Sequence, residues 1–541
     1  MRDTSEHRGL DRRAFLKYTG LIGAAATLTA GVAACGGPKS SGSVGGSASA
    51  LSHIDVAIGY NNNSSWDPLN TGSAFAMAAH NHIYEGLWDA EAVTRTPYAA
   101  LASEMPSDPK ATEWTVKLRA GATFHDGKPV TADDVVYSFG RVLDTGKKVL
   151  TNAFFASWLN GVTKVDDTTV KISMKFPFAS AVQRFSIVKV MPKHVFESQD
   201  ADFLKQGKNA IGSGPFKVKA HQDTSFTSFE KHEGYNGALK PAFTSMQWNV
   251  SVDAAARVGL LTSGTSGVQI SDNIPQDNID SLKGKGLSVE GVDSMNLLGL
   301  VFNTNKAPFN DKRVRQALRM AIDTQKLIDV AIAGKGTPST SFLHTKSPEY
   351  HKAATQYSYN PEKAKALLAE AGVANLAVTL LSTNISWTKV AVNTIKEGWE
   401  AVGVATTLDV QETAAFNSKV AAGEPVDALT FAGNPNQFGA DADLNIRWFY
   451  SNSNTFLPWN KWGETAEFKA LDAQLNAAIQ ATDPEDHKAK TNAALDTIAD
   501  EAVIYPVMHM QLFTAWDPKK IDGVKPLDIP GVNLLKATRT A

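Results

Sequence analysis

Trp114-Thr-Val-Lys-Leu-Arg-Ala-Gly-Ala-Thr-Phe124-His-Asp-Gly-Lys-Pro-Val-Thr131-Ala-Asp-Asp-Val-Val-Tyr-Ser-Phe139 is the stretch around which the rest of the chain falls into order. Its first residues, Trp114-Thr-Val116-Lys-Leu118-Arg, alternate apolar and polar with the period of a half-buried strand. Asp126-Gly127 marks a turn after Phe124. Thr131 then reads as an N-cap, with Asp133 and Asp134 in the first turn, where the positive helix end favours carboxylates. Val135, Val136 and Phe139 supply the apolar face of that helix. Further along, Val165-Asp166-Asp167-Thr-Thr-Val170-Lys-Ile172-Ser-Met174 reads as a hairpin with an acidic turn. Asn310-Asp311 caps a helix whose Val314, Ala317, Leu318, Ala321 and Ile322 recur at helical spacing. Asn360-Pro361 opens another, with Ala364, Leu367, Leu368 and Ala371 on one face and Gly372 as its stop. Short strands and capped helices alternate along the chain, which predicts a mixed α/β architecture.

The 541 residues suggest about three structural units. A formal charge of −2, from 53 basic and 55 acidic residues, excludes the basic footprint of a nucleic-acid binder. A single cysteine excludes a disulfide scaffold and a structural Cys-type zinc site.

That cysteine, Cys35, closes an unusual N-terminal segment. Asp11-Arg12-Arg13-Ala-Phe-Leu-Lys17 carries a twin-arginine pair, and Gly20 to Ala34 follow as fifteen uncharged residues. As a helix these would reach about 22 Å, short of the roughly 30 Å hydrocarbon core. A charged start, a short apolar run and small residues at the end describe a signal peptide, 1–34. Val32-Ala33-Ala34-Cys35 resembles the lipobox of bacterial lipoproteins, which implies lipidation at Cys35. Residues 36–50, rich in Gly and Ser, then read as a flexible tether. Five of the basic and three of the acidic residues lie in the leader, which leaves the remainder with a net charge of −4. The expected place is outside the cytoplasm, on the outer face of the cell membrane, or in the periplasm where a second membrane exists. No later stretch approaches 18 consecutive apolar residues.

Catalytic motifs are fragmentary. Ser386-Trp-Thr-Lys389 fits S-x-x-K and Ser271-Asp272-Asn273 fits S-D-N, but their order is the reverse of a penicillin-binding enzyme and no K-T-G follows. Met508-His509-Met510 could suit a soft cation, yet its period also fits a strand; no H-E-x-x-H occurs. Phosphate-binding glycine loops are absent. The expectation is a protein without catalysis, cofactor or dedicated metal.

The opening stretch, 114–139, together with Gly212-Ser-Gly-Pro-Phe216, Phe302-Asn303 with Pro308-Phe-Asn-Asp-Lys-Arg-Val-Arg-Gln-Ala-Leu318, Ala321-Ile-Asp323 and Tyr359-Asn-Pro-Glu-Lys-Ala-Lys-Ala-Leu-Leu-Ala-Glu-Ala-Gly372, resembles the family 5, peptide/nickel-type solute-binding proteins of ABC importers. The resemblance implies a class II, cluster C clamshell of the periplasmic-binding-protein type. Lobe I would comprise 51–272 plus 505–541, with an extra subdomain at about 84–190. Lobe II would be 273–504, with crossovers near Ser271-Asp272 and Tyr505-Pro506. It further implies a monomer that captures a solute, foremost a peptide, and delivers it to the permease and ATPase subunits of an importer. An oligosaccharide or other neutral solute, a metal chelate such as nickel, and a ligand-sensing role are the alternatives.

In the family the ligand meets the loop after the first strand, here Tyr60-Asn-Asn62-Asn63-Ser-Ser65-Trp66-Asp67-Pro68. It also meets a lobe II strand end, here Leu429-Thr-Phe431-Ala-Gly433-Asn434-Pro435. Dipeptide-binding relatives carry an Asp where Asn434 stands, and Thr413 stands in place of a family tryptophan. A neutral amide cannot make the charge-assisted pair with a free ammonium. Asp441 or Asp443 is the alternative for that role. Trp387, Trp448, Phe449 and Tyr450 are candidate stacking surfaces or, equally, core.

Overall fold

The computed structural model describes residues 52–60, 65–144, 146, 149–197, 206–451 and 456–540. The leader, Cys35, the tether, Asn62 and Asn63 lie outside the described residues. In chain order the strands are β1 (His53–Ile58), β2 (Trp88–Ala90), β3 (Pro97–Ala99), β4 (Glu113–Lys117), β5 (Leu159–Asp166), β6 (Thr169–Met174), β7 (Phe216–Gln222) and β8 (Phe226–Lys231). They continue with β9 (Ser245–Val250), β10 (Val268–Ser271), β11 (Ser288–Phe302), β12 (Gly336–Pro338), β13 (Ala377–Thr383), β14 (Ala405–Gln411), β15 (Ala428–Gly433) and β16 (Ile504–Trp516).

The opening stretch folds as its pattern predicts. β4 buries Trp114 and Val116 and exposes Glu113, Thr115 and Lys117. Gly127 takes a φ of 84° in the turn that follows, a conformation open to glycine at no steric cost. The helix Ala132–Leu143 begins where Thr131 donates from both its N–H (2.9 Å) and its hydroxyl (2.7 Å) to Asp134 Oδ2. Strands β4, β6 and β5 form a separate three-stranded sheet, and the acidic turn between β5 and β6 is held by Asp166 accepting from Thr168 N–H at 2.8 Å. The helix Pro361–Glu370 has Asn360 as its cap, accepting from Lys363 N–H, and Gly372 at φ 68° beyond its end. The helix expected through Ile322 is shorter, Lys312–Met320, because Asp323 caps the next helix, Thr324–Ile332.

Eleven strands make one mixed sheet in the order β14-β13-β15-β11-β16-β10-β1-β9-β8-β7, with β12 also on β16. At its centre β11 and β16 run antiparallel from Ser288↔Trp516 to Val301↔Ile504. Two hydrophobic cores flank this pair. One gathers β1, the three-stranded sheet and the chain end, including Leu534 and Ala537; the other gathers residues from Met295 to Met510. Ile274, Ile279, Leu282 and Val289 pack with Ala57, Phe513 and Ala515, beside the first core. Within β11 the pairing slips between Asp293 and Leu297, and Met295 is the first residue of the second core. Tyr505, Val507, Met508 and Met510 of β16 pack in the second core, so the expected crossover at Tyr505-Pro506 falls inside a long paired strand.

A buried ion network also joins the halves. Arg184, whose side chain is fully buried, donates through Nη2 to Asp441 Oδ1 and Asp443 Oδ2, each at 2.6 Å, and through Nη1 to Phe154 O at 2.9 Å. Asp443 also receives Arg447 Nε at 2.7 Å, and Arg447 continues to Asp472 and Asn476. Burial alone would raise the Asp443 carboxyl, but Arg447 and Arg184 hold it below its ordinary range. Arg184→Leu would strand two buried carboxylates and should lower unfolding stability by about 3–5 kcal/mol, readable by chemical denaturation.

Buried neutral histidines add a pH dependence. His82 donates from Nδ1 to Ala78 O at 3.0 Å while its Nε2 accepts Leu534 N–H at 3.2 Å, so a second ring proton would break the bond to Leu534. Burial pushes its pKa down to about 4, and those of His80 and His509 to about 3. Each depressed pKa contributes stability that is complete above pH 6.5 and is lost as pH falls toward 4, at about 1.4 kcal/mol per pH unit and ring. Urea midpoints measured across that window should fall with acid, and His82→Gln should make the fall shallower.

Candidate functional site

The carboxyl end of β1 is rooted by one buried carboxylate. Asp272 accepts Gly59 N–H at 3.3 Å, Gly531 N–H at 3.0 Å and the Tyr60 hydroxyl. Burial raises the Asp272 carboxyl, and the nearby Arg257 offsets part of that. Arg257 spends its own donors on the carbonyls of Ser251, Val252 and Asn273, and its guanidinium fills the space beside Gly59, where a Cβ would sit 3.2 Å from Cζ.

The loop that leaves this root carries the expected Asn62 and Asn63 outside the described residues. Ser65 accepts Asp67 N–H at 3.0 Å. Trp66 departs from expectation. It is 1% exposed and boxed by Phe75, His80 and His221, with ring centroids at 6.0, 6.4 and 4.9 Å. The ring is part of the first core rather than a plate offered to a ligand.

Across the central strands, β13 and β15 run parallel, so their carboxyl ends share one edge of the sheet. Gly433 and Asn434 follow β15 at that edge, and Trp387, half-buried at the start of the helix Ser386–Ala401, follows β13. Phe431 turns the other way: it packs on Phe449 and Phe456 and lies over Gly299, where a Cβ would come within 2.3 Å of its ring. Phe431 is thus core, like Phe449 and Tyr450, while Trp448 packs on Phe438 and Phe154. Asp441 and Asp443, the alternatives to Asn434, are committed to Arg184 and Arg447.

Asn434 is 7% exposed, and neither its Oδ1 nor its Nδ2 has a hydrogen-bond partner among the described residues. The Oδ1 atoms of Asn436 and Asn445 are in the same condition. Each unsatisfied buried amide atom costs about 1–3 kcal/mol unless a polar group from elsewhere reaches it. The opposite amide ends are anchored. Asn436 Nδ2 donates to Asp528 Oδ2 at 2.7 Å, and Asn445 Nδ2 to Asp441 O at 2.8 Å. Asp528 also pairs with Arg95 at 2.5 Å, and its carbonyl accepts the Ser294 hydroxyl at the slip in β11. Asn436, Asn445 and Asp528 escaped the sequence reading. The repeated amide in Asn434-Pro-Asn436 is a local signal for Asn436 alone.

Among the described residues no three or more His, Cys, Asp or Glu come together as a metal site. Met508-His509-Met510 lies in β16, with the His509 ring between Ser339 Oγ at 3.3 Å and Phe342 O at 3.2 Å.

The model of the family described as bacterial extracellular solute-binding proteins, family 5 Middle, matches residues 96–456. The chain is 27% identical over 479 residues to heme-binding protein A of Haemophilus influenzae, covering 82% of this chain and 84% of that protein. It is 27% identical over 479 residues to the glutathione-binding protein GsiB of Shigella boydii, covering 86% and 90%. The structure of the Escherichia coli murein tripeptide binding protein MppA superposes with a TM-score of 0.79 at 21% identity, over 90% of this chain and 98% of that one. The mixed sheet with two cores, the amide-lined strand end and the match across residues 96–456 agree: the chain belongs to the bacterial extracellular solute-binding proteins of family 5, which serve ABC transporters.

Proposed function

We propose that this protein captures a peptide-class solute between its two halves and hands it to the permease of an ABC importer, held at the outer membrane face by a lipid on Cys35 after twin-arginine export. The observation that carries the ligand class is the row of unsatisfied amide atoms on Asn434, Asn436 and Asn445. A peptide backbone presents alternating N–H and C=O groups, and a primary amide can answer both. Relatives named for glutathione and for a murein tripeptide support the same class. With Asn434 neutral, recognition rests on the backbone, and a free N-terminal ammonium is not what the site selects. Capture by closure requires the ligand to contact both halves, since only differential affinity shifts the equilibrium. Asn62, Asn63 and Trp387 are the further residues we assign to the ligand.

Calorimetry and thermal shifts on the purified protein with peptides of two to ten residues, free and N-acetylated, test this. Peptides should raise the melting temperature, with acetylation changing affinity less than about threefold. Asn434→Ala should weaken binding about tenfold, and Asn434→Asp should introduce a preference for the free N-terminus. A shift produced by oligosaccharides alone would defeat the peptide assignment. Separately, Cys35→Ala should move the protein from the membrane to the soluble fraction.

A further inference from the structure

Beside the row of asparagines, but lined by none of them, lies a cavity of about 440 Å³. Helix Ala74–Ile83, the β2–β3 hairpin, Lys189 and the chain end enclose it, and Phe438-Gly439-Ala440, which continues from Asn436, closes one side. Its size is that of a small-molecule site.

The charges around it are unequal in what they leave free. Three cations line it, Lys189, Arg95 and Lys536, against two carboxylates, Asp89 and Glu91. The carboxylates are occupied. Asp89 accepts Lys189 Nζ at 2.5 Å and the Gly86 N–H; Glu91 accepts Lys536 Nζ at 2.9 Å and the N–H groups of Val93 and Thr94. The cations keep donors in hand. Lys189 is only 9% exposed, yet among the described residues its ammonium bonds to Asp89 alone, which leaves two N–H groups. Arg95 uses Nη2 on Asp528, and its buried Nε has no partner. Burial and the neighbouring carboxylates keep the Tyr98 phenol protonated, a further donor on the wall. Met77, Ile187, Leu239, Phe438 and Leu535 supply apolar surface. Each cation is thus paired, and Lys536 is largely exposed. What the wall keeps is hydrogen-bond donors (Lys189, Arg95 Nε, Tyr98) beside apolar surface, which suits an acceptor-rich head such as a carboxylate on a hydrophobic body.

We propose that this cavity binds a carboxylate joined to a compact apolar group, with the carboxylate on the free donors of Lys189 and the apolar group against Met77, Ile187 and Leu239. The assignment stands independently of the peptide reading. Its occupant is either a free small acid or the acidic end of the solute held at Asn434. In both cases it touches the segment that carries Asn434 and Asn436, and so favours the arrangement in which that segment closes the cavity.

Calorimetry on the full-length protein with benzoate and 4-methylpentanoate, against benzamide and 4-methylpentanamide, tests the site. The acids should bind about tenfold more tightly than their amides. The double variant Asp89→Leu with Lys189→Met, which removes the ion pair whole, should abolish that preference. Leu239→Trp, which fills the cavity from a half-buried position, should abolish binding of the acids, and Asn434→Ala should leave it unchanged. Trileucine against trileucinamide separates the sources. If the double variant erases a preference for trileucine, the solute's own carboxylate fills the cavity; if it affects benzoate alone, a separate acid does. Equal binding of acids and amides, acid binding that survives Leu239→Trp, or acid binding lost with Asn434→Ala would overturn the proposal.

Discussion

The antiparallel pairing of β11 with β16 is the constraint on which the remaining structure depends. β15 builds one half of the sheet on β11, and β10 and β1 build the other on β16. Two breaks interrupt the ladder, between Asp293 and Leu297 and between Leu298 and Gly299. The second pairs Gly299 with Pro506, which has no N–H to offer, so the slip falls where a ladder bond was already missing. A continuous pair with two irregular points joins the two parts of the sheet without a loop between them.

Polar groups buried around this axis follow two opposite rules. Arg184 with Asp441 and Asp443, and Asp272 with Gly59, Gly531 and Tyr60, are filled to capacity by the protein's own atoms. Such groups are costly to break and set the relative placement of the elements they join. The asparagines after β15 are buried to a similar degree and left incomplete. The same incompleteness recurs at single atoms of the core, such as Trp66 Nε1 and Trp248 Nε1, whereas Asn434 lacks partners at both ends of its amide. Gly433 contributes by absence: a Cβ there would lie 2.7 Å from the Phe449 ring, so the strand end approaches the core closely enough to present Asn434 beyond it.

Local signals were readable and distant ones were not. Alternation at Trp114 and Val116, the Thr131 cap and Pro361 behind Asn360 act within a few residues of themselves, so their outcome was legible in the sequence. The burial of Trp66 was not legible in the sequence, because the rings that cover it come from as far away as His221. That of Phe431 was likewise not legible, its direction decided by Gly299 on the neighbouring strand. The expected crossover near Tyr505-Pro506 lies inside β16, a long paired strand whose extent no local pattern in the sequence announces. Arg95 and Asp528 lie 433 residues apart, beyond any periodicity argument.

The bonds made by the chain end carry a consequence for biosynthesis. The His82 ring takes the N–H of Leu534, and the Asp272 carboxylate takes that of Gly531. Leu534 and Ala537 belong to the core built on β1. The half that begins emerging from the ribosome first is thus sealed by residues that emerge last. That half cannot complete its packing on a nascent chain until Gly531 to Ala537 have been made, whereas the second core is drawn from one continuous stretch, Met295 to Met510.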